Sequence, residues 1–272
     1  MILSQRILTP LFCVLGALLL LTTSCAMRGG AGRDFIPTKV MPLRSGDIPP
    51  ETILLKYFDL QKEEGRLENY QVDVQIVASL PAMNKSGTLT ATRTLRGEAD
   101  LSYSDSSFTG DNSIKGDVIV RYLNAEKESL RRPMNIGLNL ANYRFTYRGI
   151  ATYLDRRAHV FEVNPKEKKI GLYRGELWVD IETSEPLREF GRFVRNPSVF
   201  LKNVDFVRDY HLINGRALPV RIITRMDTRL VGPAEITVYL SDYNFNLPPV
   251  PKEVSSARPA KTSRSRKSPV LE

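Results

Sequence analysis

Alternation of apolar and polar residues dominates the chain. Gln71 to Leu80 puts Val72, Val74, Ile76, Ala78 and Leu80 on one face, the period-two spacing of a strand with two unlike faces. Thr88 to Leu95 repeats the pattern, with Leu89, Ala91 and Leu95 opposite a row of Thr88, Thr90, Thr92 and Thr94. Asp117 to Leu123 predicts a further strand, and Ala125 to Leu130 one helical turn before Pro133. Between these lies Ser102 to Ser113, rich in Ser, Asp and Gly, which predicts a long loop between short strands. Leu138 to Tyr147 opens a second run of strands. Arg157 to Pro165, Gly175 to Thr183, Glu185 to Phe193, Val204 to Ile213, Leu218 to Arg229 and Ala234 to Tyr243 follow. The charged stretch Asn164 to Gly171 and the step Asn196-Pro197 break this run, and Asn214-Gly215 supplies the positive φ angles of a tight primed hairpin. One helix stands out, Glu51 to Glu64. Pro49 and Pro50 precede it, Glu51 sits in its first turn and Gly65 follows. Ile53, Leu54, Tyr57, Phe58 and Gln61 share one of its faces, so it is expected to pack on a sheet.

The ends read differently. Residues 1–26 carry a basic Arg6, an apolar run from Ile7 to Leu21 and small residues up to Ala26, the pattern of an export signal. Two processing routes are open. Leu21-Thr-Thr-Ser-Cys25 resembles a bacterial lipobox, with Thr22 where a leucine is usual, and would leave Cys25 acylated. Ser24-Cys25-Ala26 also fits ordinary small-x-small cleavage. The lipoprotein route is preferred, because a cysteine at this position has few other uses. Ala26 in place of an aspartate then points to the outer membrane. Residues 27–50 are a Gly- and Pro-rich linker, 51–246 the folded domain, and 247–272 a basic tail of Pro, Ser, Lys and Arg expected to be disordered. The expected fold is mainly β: a strongly curved antiparallel sheet or half-barrel, with the N-terminal helix and a few short helices covering its concave face.

Composition narrows the chemistry. The net charge of +9 would suit nucleic acid or an anionic membrane. The cations are however scattered along the strands as Arg121, Arg144, Arg148, Arg188, Arg208, Arg221 and Arg225, with no recognition helix or stacking-aromatic motif beside them. Both cysteines, Cys13 and Cys25, precede the folded domain, which excludes from it a disulfide, a thiolate metal site and a cysteine nucleophile. His159 and His211 are the two histidines, too few for a His-rich metal centre. His159 shares a face with Phe161 and Val163, as a core or rim residue would. His211 shares a face with Asp209, but there is no Gly-x-Ser-x-Gly, P-loop or His-Glu-x-x-His motif for it to serve. Glu182 with Glu185, or Asp205 with Asp209, reads as a salt-bridged solvent face, not as a catalytic carboxylate pair. Trp178 falls on the polar face of Glu176, Asp180 and Glu182. It is expected to pack under a helix or loop, or to mark a ligand contact.

The order of features resembles a known group. The helix and first strand, Tyr147-Arg-Gly149, Phe161-Glu-Val-Asn-Pro165, Leu177-Trp-Val-Asp-Ile181 and Glu185-Pro-Leu-Arg188 together resemble the outer-membrane lipoprotein-sorting superfamily. That superfamily comprises LolA-like carriers, LolB-like anchored receptors and RseB-type regulators. The resemblance implies a non-catalytic envelope protein without cofactors, facing the periplasm of a Gram-negative-type bacterium and anchored through Cys25. Its partners would be lipid acyl chains or lipoproteins, held in an apolar cavity in a carrier or acceptor role. The alternative it carries is an RseB-like regulator or scaffold binding a membrane-protein partner. Val72, Val74, Ile76, Leu177, Val179, Ile181 and Trp178 are the cavity-lining candidates.

Overall fold

The computed structural model describes residues 39–64, 67–131, 136–196, 201–229 and 232–247. Cys25, the expected export signal, the first half of the linker and all but the start of the basic tail lie outside the described residues. Ten strands form one open antiparallel sheet. They are β1 (Tyr70–Leu80), β2 (Lys85–Arg96), β3 (Asp100–Gly110), β4 (Tyr143–Tyr153), β5 (Arg156–Pro165), β6 (Tyr173–Asp180), β7 (Pro186–Phe193), β8 (Leu201–Ile213), β9 (Arg216–Thr228) and β10 (Gly232–Asn244). The spatial order is β3-β2-β1-β10-β9-β8-β7-β6-β5-β4, so a long meander from β4 to β10 closes back onto β1. Register irregularities at 71/73, 90/92, 147/149, 178/179 and 209/210 add local twist and bend to the strands that carry them.

Two helical elements lie on one face. Helix α1 (Pro50–Glu64) buries Ile53, Tyr57 and Phe58 against Phe161, Val163, Leu177, Val179 and Phe206. Burying each such side chain contributes roughly 1.5–3 kcal/mol. The second element runs through one turn, α2 (Asn112–Ile114), a π-helical segment (Lys115–Ile119) and α3 (Val120–Arg131). It packs Ile114, Val118 and Ile119 on Ile76, Leu89, Met226 and Ile236.

That second element corrects the expected strand at 117–123. Read from Asp117 the apolar run looks β-branched. Read from Ile114, the buried positions 114, 118 and 119, with Tyr122 and Leu123 packed on them, recur at helical spacing. Asp111 caps the start, accepting the Ser113 N–H at 2.8 Å. The expected loop at 102–113 is also corrected: most of it is β3, paired with β2 from Leu101 to Gly110. As an edge strand β3 has little to bury, and only its Leu101 is buried. Its Ser- and Asp-rich composition is that of a solvated edge. The expected strand Leu138 to Tyr147 is corrected at its start: 138–142 form a turn, in which Asn139 Oδ1 accepts the Ala141 and Asn142 N–H groups at 3.0 Å, and β4 begins at Tyr143. The other strands lie within a few residues of their expected limits, and the Asn214-Gly215 turn has φ of 52° and 83°.

The opposite edge, β4, is partly covered. Met41 and Ile150 exchange backbone hydrogen bonds of 2.7 and 2.8 Å. Gly149 permits this approach: its φ is 140°, and a Cβ there would sit 2.6 Å from the Met41 carbonyl oxygen.

Candidate functional site

A groove of about 920 Å³ lies between α1, the segment 136–141 and the sheet. That falls in the ordinary range for small-molecule sites. Its roof is α1 through Leu55, Tyr57 and Phe58, and one wall is Ile136, Leu138 and Leu140. Its floor is Tyr173 on β6, Glu189 and Phe193 on β7, and Phe206, Arg208 and Tyr210 on β8. The aromatic rings interlock, with Tyr173 edge-on to Phe206 at 4.7 Å and Phe193 stacked on Phe206 at 5.3 Å. Leu55 is 59% exposed and Leu140 54%, so large apolar side chains on roof and wall face water. Burying them is favourable for any apolar ligand.

The polar groups of the floor converge on Glu189, which is buried. The Tyr210 hydroxyl donates to its Oε1 at 2.8 Å, and Arg208 Nη1 donates to its Oε2 at 3.3 Å and to the Tyr210 hydroxyl at 3.2 Å. Burial, and then the charge on Glu189, pushes the hydroxyls of Tyr57 and Tyr173 well above the ordinary tyrosine value of 10. Both are therefore neutral at any physiological pH. Tyr173, 6% exposed, has a buried hydroxyl without a hydrogen-bond partner among the described residues.

A smaller cavity of about 90 Å³ lies under α3. Arg93 on β2 donates to Glu126 of α3 from Nε at 3.0 Å and also pairs with it through Nη2 at 2.8 Å. Tyr103 donates to the other Glu126 oxygen, and Arg93 to the Tyr70 hydroxyl.

The candidate lining residues are distributed, not gathered. Val74 and Ile76 line the small cavity, and Val72 lies beside Val74 in the core below it. Leu177 and Val179 are fully buried beneath α1, in the layer that supports the large groove without lining it. Ile181 is buried in the turn after β6. Trp178 lies on the other face of the sheet with Ala151, Ala158, Val160 and Leu187, against Val40 of the linker. Its Nε1 donates to Glu176 at 2.9 Å. Nothing in the sequence pattern marks the groove's own Phe193, Phe206, Arg208 and Tyr210 as ligand residues. The one available signal was that Phe206, Arg208 and Tyr210 share a face of β8.

The other titratable residues singled out in the sequence lie away from the groove. His159 is fully buried, with Nδ1 3.1 Å from the Tyr147 hydroxyl, and burial lowers its pKa. His211 is exposed. Asp205 does sit on an exposed face, bound by Arg192 at 2.6 and 2.8 Å. Asp209 departs from the expected solvent face: it is 2% exposed, clamped by Arg188 at 3.0 Å and Arg221 at 2.7 Å. Glu185, also buried, faces Glu64 at the end of α1 and not Glu182. Burial, and then the Glu64 carboxylate, raises its pKa to about 7. Arg216 pairs with Glu64 at 3.2 Å. Among the described residues no group of three or more His, Cys, Asp or Glu is placed to hold a metal ion. No described helix is long and apolar enough to cross a membrane.

No protein-family model matches the chain, and no curated protein matches it. Solved structures do. The LolA superfamily protein NE2245 from Nitrosomonas europaea is 14% identical, over 74% of this chain and 96% of that one, with a TM-score of 0.35. A DUF1329 family protein from Desulfovibrio piger is 11% identical, over 72% and 93%, at 0.37. A chain of the Pseudomonas aeruginosa MucA/MucB complex is 13% identical, over 68% and 92%, at 0.25. At these scores the similarity carries no argument about what the chain does.

Proposed function

We propose that the chain is a non-catalytic envelope lipoprotein that holds a lipid or lipoprotein acyl chain in the groove beneath α1, as a carrier or acceptor in lipoprotein sorting. The groove carries this reading. It offers about 920 Å³ between a helix and a sheet, with aromatic rings on the floor and exposed leucines on roof and wall. Each CH₂ buried there contributes about 0.8 kcal/mol, enough over a long chain to offset the entropy of ordering it. The export signal and Cys25 support a tethered, periplasm-facing protein, anchored by lipid at the outer membrane.

Native mass spectrometry with lipid extraction tests this. The full chain would carry Cys25→Ser, so that no acyl mass arises from the N-terminus, and would be purified without detergent. A discrete, non-covalent fatty-acid or phospholipid mass that Leu140→Glu removes is the expected outcome. A chain that stays free of ligand when lipids are added refutes the acyl-chain reading. It would leave the partner-binding role of an RseB-type regulator to be tested by capture of a membrane protein.

A further inference from the structure

The floor of the groove is more specific than an apolar slot requires. Both oxygens of Glu189 are engaged, by Tyr210 and by Arg208. Arg208 uses only Nη1 for its hydrogen bonds, while Nε and Nη2 have no partner among the described residues. Its side chain is 40% exposed, so the unused edge of the guanidinium is open to the groove it lines. Tyr173 lines the same groove with an unpartnered buried hydroxyl. A guanidinium can only donate, and a neutral phenol donates readily. The floor's one carboxylate, Glu189, is already satisfied, and the groove's other carboxylate, Asp59 on the roof, is bound by Lys62. The charge left open at the floor is therefore the Arg208 cation, which would repel an amine or other cationic head. A head with several acceptor oxygens and a negative charge would complete both residues at once.

We propose that Arg208 and Tyr173 form a head-group site for an anionic amphiphile. The guanidinium Nε and Nη2 and the phenol hydroxyl donate to the oxygens of a carboxylate or phosphate, whose chain lies along Phe58, Leu138, Phe193 and Phe206. This inference rests on the acyl-chain reading and adds to it the polarity and position of the head. The site selects the ligand class: a free fatty acid or a phosphate monoester is held, and a neutral lipid of equal chain length is disfavoured. Charge-assisted hydrogen bonds are the strong ones.

The test compares hexadecanoate, hexadecyl phosphate and hexadecanol by calorimetric titration into the delipidated full chain, its Tyr173→Phe variant and its Arg208→Gln variant. The wild-type chain should bind at least one anion about tenfold or more tighter than the alcohol. Which anion binds tighter identifies carboxylate or phosphate as the source. Tyr173→Phe should cut that preference severalfold, and Arg208→Gln should abolish it, the preference being read in each variant as the ratio of its own anion and hexadecanol affinities. Tyr173→Phe removes only an oxygen that has no partner. Its unfolding midpoint should be no lower than that of the wild type, so lost binding could not be blamed on a damaged fold. Equal binding of anions and alcohol, or a preference that survives both substitutions, overturns the head-group site and leaves the acyl groove standing. Failure of all three amphiphiles to bind overturns both.

Discussion

Replacing Glu185 by glutamine is expected to stabilise the protein, with a gain that grows from about pH 4.5 and is complete above about pH 7. Glu185 follows β6 in a turn held by Asp180, whose Oδ1 accepts the N–H groups of Glu182 and Thr183 at 2.9 and 2.8 Å. That turn delivers Glu185 to Glu64, with its Oε2 buried and unpartnered. Burial comes first and the Glu64 carboxylate second in raising its pKa from the ordinary 4.5 to about 7. The sign follows from linkage. The folded state holds a proton that the unfolded chain releases near pH 4.5. The stabilisation is therefore complete below pH 4.5 and is lost as pH rises through about 7. At about 1.36 kcal/mol per pH unit, the interval amounts to about 3 kcal/mol. Glutamine keeps the shape, cannot ionise, and can donate its amide to Glu64. The two chains should unfold alike at pH 4, and Glu185→Gln should be about 3 kcal/mol more stable at pH 8. Urea unfolding followed by Trp178 fluorescence measures this, since Trp178 is the single tryptophan and is 3% exposed. A stability difference that does not change with pH, or a glutamine variant weaker at pH 8, would refute the shared-proton account.

Asp209→Ala should cost about 3 kcal/mol or more in the same urea assay, because it leaves the buried Arg188 without its carboxylate. Gly175 and Gly191 face each other across β6 and β7, and a Cβ on Gly175 would stand 1.9 Å from the Phe190 carbonyl oxygen. Gly175→Ala should therefore destabilise by about 1–3 kcal/mol and, since Tyr173 and Phe193 flank this contact, weaken ligand binding in the groove; unchanged affinity would separate the two. Cys25→Ser should abolish metabolic incorporation of labelled fatty acid and release the chain from the membrane fraction; a labelled serine variant would exclude lipidation at that residue.

Much of the sheet is legible in the chain because a strand with one buried face records its orientation every second residue. Val72 to Leu80 shows this, since Val72, Val74, Ile76, Ala78 and Leu80, the apolar row of β1, are all buried while Val77 on the other face is not. The α1 stripe is equally plain, as is the Asn214-Gly215 turn, where backbone sterics leave few choices. Two elements depart from their sequence pattern for physical reasons. The apolar run 117–123 fits a strand until Ile114 and the partners beneath the helix are included. The edge strand β3 needs so little burial that its composition imitates a loop. The sequence by itself thus determined the class of fold, most strand limits and the absence of cysteine chemistry from the domain. Tertiary structure alone decided which apolar rows become core and which line a groove. Leu177 and Val179 look like a cavity wall but lie under α1, while Phe206, Arg208 and Tyr210 form the floor. It alone paired Glu185 with Glu64 and buried Asp209 between two arginines. Alternation reports which face a residue is on, whereas cavities and carboxylate pairs depend on which distant segments fold back over that face.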